Sequence, residues 1–507
     1  MKTIIKIILV FLPVMSMFAS TQDTIYVMRS GMVLYKKVIT DVDSISFENT
    51  LINRKSIIDK IAADKSYSIF YRGLVATGLA DSLRVDRDKK YDFNQYSSLV
   101  KTPKESGSWY YEAVPNLRRY GFTVLMESDT IFNGNGVTDL ASLKAYAANV
   151  YNQVYPSDAN ITDVTNRKNS LNRFIAYHII NKKLKLNMFI DAYDTDHMLK
   201  SVDMYEYLEP LCPNSLIEIK KDRLTNKTNL INYSTKTGTA IQIIPKTDTD
   251  NTYNGLFFGI DNILSFNPNV VESLSSRRLR FNIAGFFPEL TNNGMRGLGE
   301  TNTDLQDIQY IIPKGYLSGL VKNDQTSVSY LTPYFRFEDY EGDELDLTPS
   351  SGNLYYFTVT TPPILAGTYE VRFGYITNGK RGVAEFYIDG ISAGAPVDLN
   401  FSGITPQIGY VTPGTDPADP FGFENDKMMR NHGYMKAPAC FKVPSPGWYS
   451  GENARYSNVG LRKILGTYTF SEAGHHTLTV KGLSNGVFMY NYLEFVPVSA
   501  LEAEDIY

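Results

Sequence analysis

Cysteine is nearly missing from this chain, which excludes a disulfide scaffold: only Cys212 and Cys440 occur in 507 residues. Tryptophan numbers two and histidine five, so a histidine-built metal centre has few ligands to draw on. Neither sign of charge is in excess, with 50 Lys and Arg against 54 Asp and Glu. That balance leaves no electrostatic footprint for nucleic acid or for an anionic membrane surface. Beyond the first residues no apolar run is long enough to span a bilayer. No enzyme signature is recognised either, whether serine-nucleophile, phosphate-loop, CxxC, HExxH or dinucleotide fingerprint. A carboxylate pair for glycoside cleavage has no fixed spacing, so such a scan does not test for it.

Tyrosine is abundant, with 36 residues. It joins a flat apolar face to a hydroxyl, which suits β-sheet faces and polar ligands such as sugars; most of these rings are expected to fill sheets. At this length two or three domains are expected. Residues 1–20 read as a signal peptide: Lys2 and Lys6 make a positive start, 7–17 is apolar, and Phe18-Ala19-Ser20 ends in small residues. No cysteine follows, so no lipid-anchored terminus is expected. The mature chain is expected to be exported without a transmembrane span, and to be periplasmic, outer-membrane-associated or secreted. Cys212 and Cys440 are read as two independent buried thiols.

Residues 21–50 hold two β-prone runs around Ser30-Gly31 and read as a hairpin. They resemble amino-terminal segments of exported Bacteroidetes proteins. Ser56 and Asp59 form a cap-like helix start before Ile57, Ile58 and Ile61. Residues 84–118 are polar and Tyr-rich and read as an insertion. The strongest helical stripe is 170–180, where Leu171, Phe174, Ile175, His178 and Ile179 share one face, with Ser170 at the N-cap position. His178 places a polar ring in that stripe. It is read either as a metal ligand or general base, or as a core histidine with both nitrogens bonded, and the second is the expected reading. Strands are expected at 215–220, 240–245 and 255–260.

Three of these pieces resemble the fasciclin-like family: GFTVLMESDTIF at 121–132, LNRFIAYHI at 171–179 with its Tyr177-His178 pair, and NGLFFGIDNIL at 254–264. The resemblance implies an α+β fasciclin-like domain over 51–275, with Tyr177 and His178 as scaffold. It also implies a role in adhesion. The turn Met126-Glu127-Ser128 and Phe258 depart from the family pattern.

Residues 276–307 look like a connector, rich in Gly and Asn. From 308 to 500 the pattern is β. Val371, Phe373 and Tyr375 alternate on one face, as do Ala384, Phe386 and Ile388, and short strands follow at even spacing. This grammar resembles jelly-roll sandwiches of the galactose-binding-like type, which include carbohydrate-binding modules. His475 and His476 are adjacent on a strand and point to opposite faces, so they are read as structural.

The stretch 402–460 lacks periodicity but is dense in Gly, Pro and aromatics. The commoner role for such rings is packing against a sheet edge. The functional reading is a glycan site built from Trp448, Tyr449, Asn453, Arg455 and Tyr456. Acidic residues Asp339, Glu341, Asp343 and Glu344 are weak Ca²⁺ candidates, since EF-hand spacing is absent and a solvated turn is expected; otherwise no cofactor is expected. The sequence therefore predicts a non-catalytic exported adhesion protein contacting glycan or extracellular protein. The alternatives are a polysaccharide-capture protein with a carbohydrate-binding sandwich and, third, a glycoside hydrolase of unfamiliar type.

Overall fold

The computed structural model describes residues 24–29, 32–38, 55–91, 110–115, 117–189, 206–222, 227–234, 236–245, 252–296, 308–331, 343–377, 379–439 and 454–505. The signal-peptide stretch 1–20 lies outside the described residues. The chain divides into two compact units, 1–54 and 55–507. In the first, Thr24–Arg29 and Met32–Val38 pair antiparallel, with Arg29 opposite Met32 and a bulge at Val27/Met28. No described helix is long and apolar enough to cross a membrane.

The second unit combines a mixed α+β body with a β-sandwich. Helix Ile57–Ala63 starts on a reciprocal Ser56–Asp59 capping box and buries Ile57, Ile58 and Ile61. Helix Ser170–Tyr177 buries its apolar stripe, but its cap sits one residue earlier than expected. Asn169 Oδ1 accepts from the backbone N–H groups of Leu171 and Asn172, while Ser170 Oγ donates to Asn152 Oδ1 at 2.6 Å. The amide oxygen reaches two free N–H groups at once, which a hydroxyl already engaged elsewhere does not. A seven-stranded sheet backs these helices. Within it, Phe122–Glu127 runs parallel to Gly255–Ile260 and antiparallel to Ile179–Ile180.

The sandwich is built from three sheets. One holds, in order, Leu279–Asn282, Tyr492–Pro497, Gly367–Ile376, Gly460–Phe470 and Tyr434–Lys436. A second holds Phe488–Tyr490, Glu344–Pro349, Thr326–Leu331, Ile308–Ile312 and Tyr110–Ala113; the third includes Leu320–Lys322, Tyr356–Thr360, Thr477–Gly482, Val383–Ile388 and Ile391–Ser392. Their inner faces meet in an aromatic cluster in which the Phe373 ring lies 5.3 Å from Phe386 and 5.4 Å from Phe488. Fully burying each such ring stabilises the fold by roughly 1.5–3 kcal/mol.

Two sequence expectations are corrected by strand pairing. The connector 276–307 contains Leu279–Asn282, which pairs antiparallel with Tyr492–Pro497. The insertion 84–118 contains Tyr110–Ala113, which pairs parallel with Ile308–Ile312. Each segment thus adds an edge strand to a sandwich sheet.

The outward face of the first sandwich sheet is charged yet buried. Arg280 Nε donates to Glu494 Oε1 at 2.7 Å, Arg462 Nη1 reaches Glu494 Oε2 at 3.3 Å, and Arg372 Nη1 lies 3.6 Å from the same oxygen. Burial alone would raise the Glu494 carboxyl, but Arg280, Arg462, Arg372 and Arg278 together draw it down to about 2. Arg280 also reaches Glu206 at 3.5 Å, and Arg372 reaches Asp505 at 2.9 Å. This network ties the α+β body, the sandwich and the carboxy-terminal segment together.

Candidate functional site

His178 is fully enclosed, and both ring nitrogens have partners. Nδ1 lies 2.7 Å from the Phe174 carbonyl and Nε2 lies 2.8 Å from Glu127 Oε1. A carbonyl only accepts, so Nδ1 carries a hydrogen and donates it to Phe174. Glu127 Oε1 also accepts from the Leu264 backbone N–H at 2.8 Å. Tyr177 is equally buried: its hydroxyl donates to the Leu216 carbonyl at 2.7 Å and accepts from Asn232 Nδ2 at 2.9 Å. Both side chains are fully buried, and their hydrogen bonds join helix Ser170–Tyr177 to strand Phe122–Glu127 and to residues 216 and 232.

Of the acidic cluster, only Asp343 and Glu344 are described; Asp339 and Glu341 lie outside the described residues. Asp343 is fully buried and already satisfied: Oδ2 accepts from Arg296 Nε and from the Tyr330 hydroxyl, each at 2.8 Å, and Oδ1 accepts from Asn282 Nδ2 at 2.6 Å. Glu344 is buried as well. The charge facing Asp343 is thus the Arg296 guanidinium. Among the described residues, no group of three or more His, Cys, Asp or Glu is placed to hold a metal ion.

The aromatic stretch 402–460 is more ordered than its sequence suggests. It includes helix Phe423–Asn431 and strand Tyr434–Lys436. Trp448, Tyr449 and Asn453 lie outside the described residues, as does Cys440. Arg455 is turned inward, ion-paired with Asp426 and donating to the Phe421 carbonyl at 3.3 Å, so it does not present its guanidinium to a sugar. Tyr456, next to it, is 43% exposed. The exposed rings that the sequence reading did not select are Phe421 and Phe423. Cys212 is buried, which pushes its thiol up to about 11.

A roomy concavity lies elsewhere, on the flank of the sandwich. One wall is the hairpin from Val383–Ile388 to Ile391–Ser392. Asp389 and Gly390 form its turn with φ of 49° and 78°, the left-handed pair that a two-residue hairpin requires. Asp389 Oδ1 accepts from the Thr477 backbone N–H at 2.7 Å, and Oδ2 lies 2.7 Å from His476 Nδ1. The His476 ring stacks on Phe470 at 3.7 Å, and its Nε2 has no hydrogen-bond partner among the described residues. The other wall is the second half of Gly460–Phe470. Its register with Gly367–Ile376 shifts at Val371/Arg372, leaving Leu465 as the extra residue, and Gly466 takes φ 139°. Tyr434–Lys436 covers only Leu461–Lys463 on the far side, so the remainder of that edge faces the groove.

The groove measures about 590 Å3 and is lined by Ile388, Asp389, Ile391, Ser392 and Gly394 on one side and residues 465–470 on the other. It offers the part-exposed ring of Tyr468, the hydroxyls of Ser392, Thr467 and Thr469, and one carboxylate. Residues 390–394, Gly-Ile-Ser-Ala-Gly, carry the GxSxG spacing, which corrects the reading that no serine-nucleophile motif is present. The spacing is not a nucleophile elbow, however. It follows a hairpin turn rather than linking strand to helix, and Ser392 Oγ donates to the Gly394 carbonyl at 3.2 Å.

A second concavity, of about 30 Å3, lies where Lys182, Glu206 and Glu209 meet Arg280 and Pro362. It has room for a water or two, not a sugar. Burial lowers the Lys182 ammonium to about 8, and nearby Glu209 opposes that fall. Glu209 also lies 3.2 Å from His475 Nε2. His475 bonds the Thr361 carbonyl through Nδ1, so the two adjacent histidines do serve separate partners.

No protein-family model matches this chain, and no curated protein matches it. Solved structures do match over part of it. A Paenibacillus xanthan lyase is 14% identical over 35% of this chain and 12% of its own, with a TM-score of 0.20. The catalytic domain of a GH87 alpha-1,3-glucanase in complex with nigerose is 18% identical over 36% of this chain and 27% of its own, with a TM-score of 0.18. The catalytic unit of a GH87 alpha-1,3-glucanase from Streptomyces thermodiastaticus strain HF3-3 is 14% identical over 36% of this chain and 26% of its own, with a TM-score of 0.18. This chain thus spans little more than a quarter of those chains at most, and the likeness assigns it neither activity nor substrate. Matches to polysaccharide-degrading enzymes nevertheless run against the expected non-catalytic adhesion protein, and both parts of that expectation, adhesion and the lack of an enzymatic role, are given up.

Proposed function

We propose that this chain is a carbohydrate-active protein that engages polysaccharide through its β-sandwich. The flank groove carries this reading. Its volume of about 590 Å3 falls in the range of small-ligand sites, and one aromatic face stands there among hydroxyls and a carboxylate. The Tyr468 ring would pack on sugar C–H groups, while Ser392, Thr467, Thr469 and Asp389 would bond sugar hydroxyls. If the groove cleaves as well as binds, the acid–base group at hand is Asp389. The amino-terminal stretch 1–20 supports action outside the cytoplasm. A fasciclin-like identity for residues 51–275 is supported by the way 121–132, 171–179 and 254–264 come together around His178 and serves this reading as scaffold.

The test is to incubate the full chain with neutral and acidic polysaccharides and their disaccharides, following both binding and release of soluble sugar. Tyr468→Ala is expected to weaken disaccharide binding about tenfold, a loss of about 1.4 kcal/mol. Absence of both binding and release across the panel would sink the reading.

A further inference from the structure

The turn before helix Phe423–Asn431 holds two phenylalanine rings in solvent. Phe421 is 67% exposed and Phe423 is 47% exposed, and their rings stack at 5.6 Å with planes 25° apart. The two rings are paired, and the backbone that carries them is bonded from beneath. The Phe421 carbonyl accepts from Arg455 at 3.3 Å, and the Gly422 carbonyl accepts from Lys436 Nζ at 3.4 Å. Lys436 Nζ also bonds Asn425 Oδ1 at 2.6 Å and Asp426 at 2.8 Å. Asp419 Oδ2 accepts from the Asn425 backbone N–H at 2.9 Å. Gly422 takes φ 73°, and a Cβ there would lie 3.2 Å from Pro413 and 3.4 Å from the Lys436 ammonium. Two buried cations thus clamp the backbone beneath two solvent-facing rings. Such preorganisation removes the ordering cost that a ligand would otherwise meet.

We infer that Phe421 and Phe423 form a second polysaccharide contact, a stacking platform for a neutral glycan chain. The inference rests on the carbohydrate reading of the flank groove and extends it to polymers. Two rings are too small an area for a stable protein interface, which needs about 1,000 Å2 or more. The charges near the rings in sequence select against an anionic chain: Asp416 is exposed, Glu424 and Lys427 pair with each other, and the cations Lys436 and Arg455 are turned inward. A polymer engaging both groove and platform would gain by effective concentration, without any new contact for a disaccharide.

The experiment uses the full chain and migration through gels containing a soluble α-glucan, a β-glucan, a mannan or a polyuronate, with disaccharide affinity measured separately. The wild type is expected to hold one of the neutral polymers more tightly than its disaccharide by on the order of 100-fold, and not to hold the polyuronate. The double variant Phe421→Ala/Phe423→Ala should lose that excess and keep the disaccharide affinity. Both residues are exposed, so folding should be unaffected. Polymer retention equal to wild type in the double variant would overturn the inference. So would preferred retention of the polyuronate, or a wild-type dimer that the double variant converts to monomer. If Tyr468→Ala removes disaccharide binding while the double variant changes nothing, the groove stands and the platform falls. If Tyr468→Ala changes nothing while the double variant loses polymer, the platform stands and the groove falls.

Discussion

Arg280 and Glu494 are separated by 214 positions, yet their side chains meet at 2.7 Å with neither touching solvent. Glu494 is the anion facing Arg280, Arg372 and Arg462. Glu494→Gln is expected to destabilise the unit by about 1–3 kcal/mol, because it removes the carboxylate that three buried guanidinium groups share, while Arg280 keeps Glu206 and Arg372 keeps Glu370 and Asp505. The same carboxyl shapes the acid limb. Its ordinary value is 4.5 and its folded value about 2. Its contribution is therefore complete above 4.5 and fades as pH falls through about 2. Chemical denaturation at pH 7, together with an acid titration of both proteins, checks the two expectations.

The sandwich is not expected to fold when cut out at 308. A fragment of residues 308–505 lacks Tyr110–Ala113 and Leu279–Asn282, which pair with Ile308–Ile312 and Tyr492–Pro497. It also lacks Arg280 and leaves Glu494 with one partner fewer. The fragment should show no cooperative thermal transition, whereas residues 55–507 should show one. A sharp transition in the fragment would contradict the pairing.

Gly374 sits against the Tyr492 ring so closely that a Cβ would lie 2.0 Å from its carbons. The position is central in the sheet, between Tyr492–Pro497 and Gly460–Phe470. Gly374→Ala is expected to cost ~1–3 kcal/mol through overpacking. Thermal unfolding of the variant is the measurement, and an unchanged midpoint would refute the contact.

His475 should titrate above its ordinary value of 6.5, because the Glu209 hydrogen bond favours its charged form more than burial opposes it. The pair then contributes stability in full below 6.5 and loses it as pH rises through the raised value. Both side chains are substantially exposed, so the effect on stability is small. Proton NMR should show the His475 titration moving down in Glu209→Gln.

Glu127 accepts at one oxygen from the Leu264 N–H and is hydrogen-bonded to His178 through the same oxygen. Glu127→Ala leaves both groups buried without that partner, at about 1–3 kcal/mol each. The variant should melt earlier but bind sugars like the wild type, since nothing joins this pair to the groove. Lost sugar binding in a folded Glu127→Ala protein would instead place His178 in the function.

Much of the local structure was legible. The capping pair Ser56–Asp59, the stripe of 170–180 and the alternation of Ala384, Phe386 and Ile388 all reflect interactions within a few residues of the chain. The groove was not legible, although its hairpin turn carries the Asp389-Gly390 signal. Its second wall comes from residues 465–470, and no local pattern states that the two edges face each other. Glu370 and Arg372 alternate with Val371 and Phe373, which reads as a solvated face. They are buried because Arg430 and Asp505, from distant parts of the chain, cover them.

The sequence by itself determined which residues turn, cap and alternate, since side-chain direction follows directly from helix and strand period. It also determined that His178 would be enclosed, because its neighbours on the stripe are apolar. Tertiary structure alone decided that the apparent insertion and the apparent connector each hold a sheet strand, that Arg455 points inward while Phe421 and Phe423 point out, and that the edge with its bulge at Leu465 lines a groove beside Asp389. Those outcomes depend on which distant backbone edges and charges find partners, and such partners are selected only when the whole chain has closed on itself.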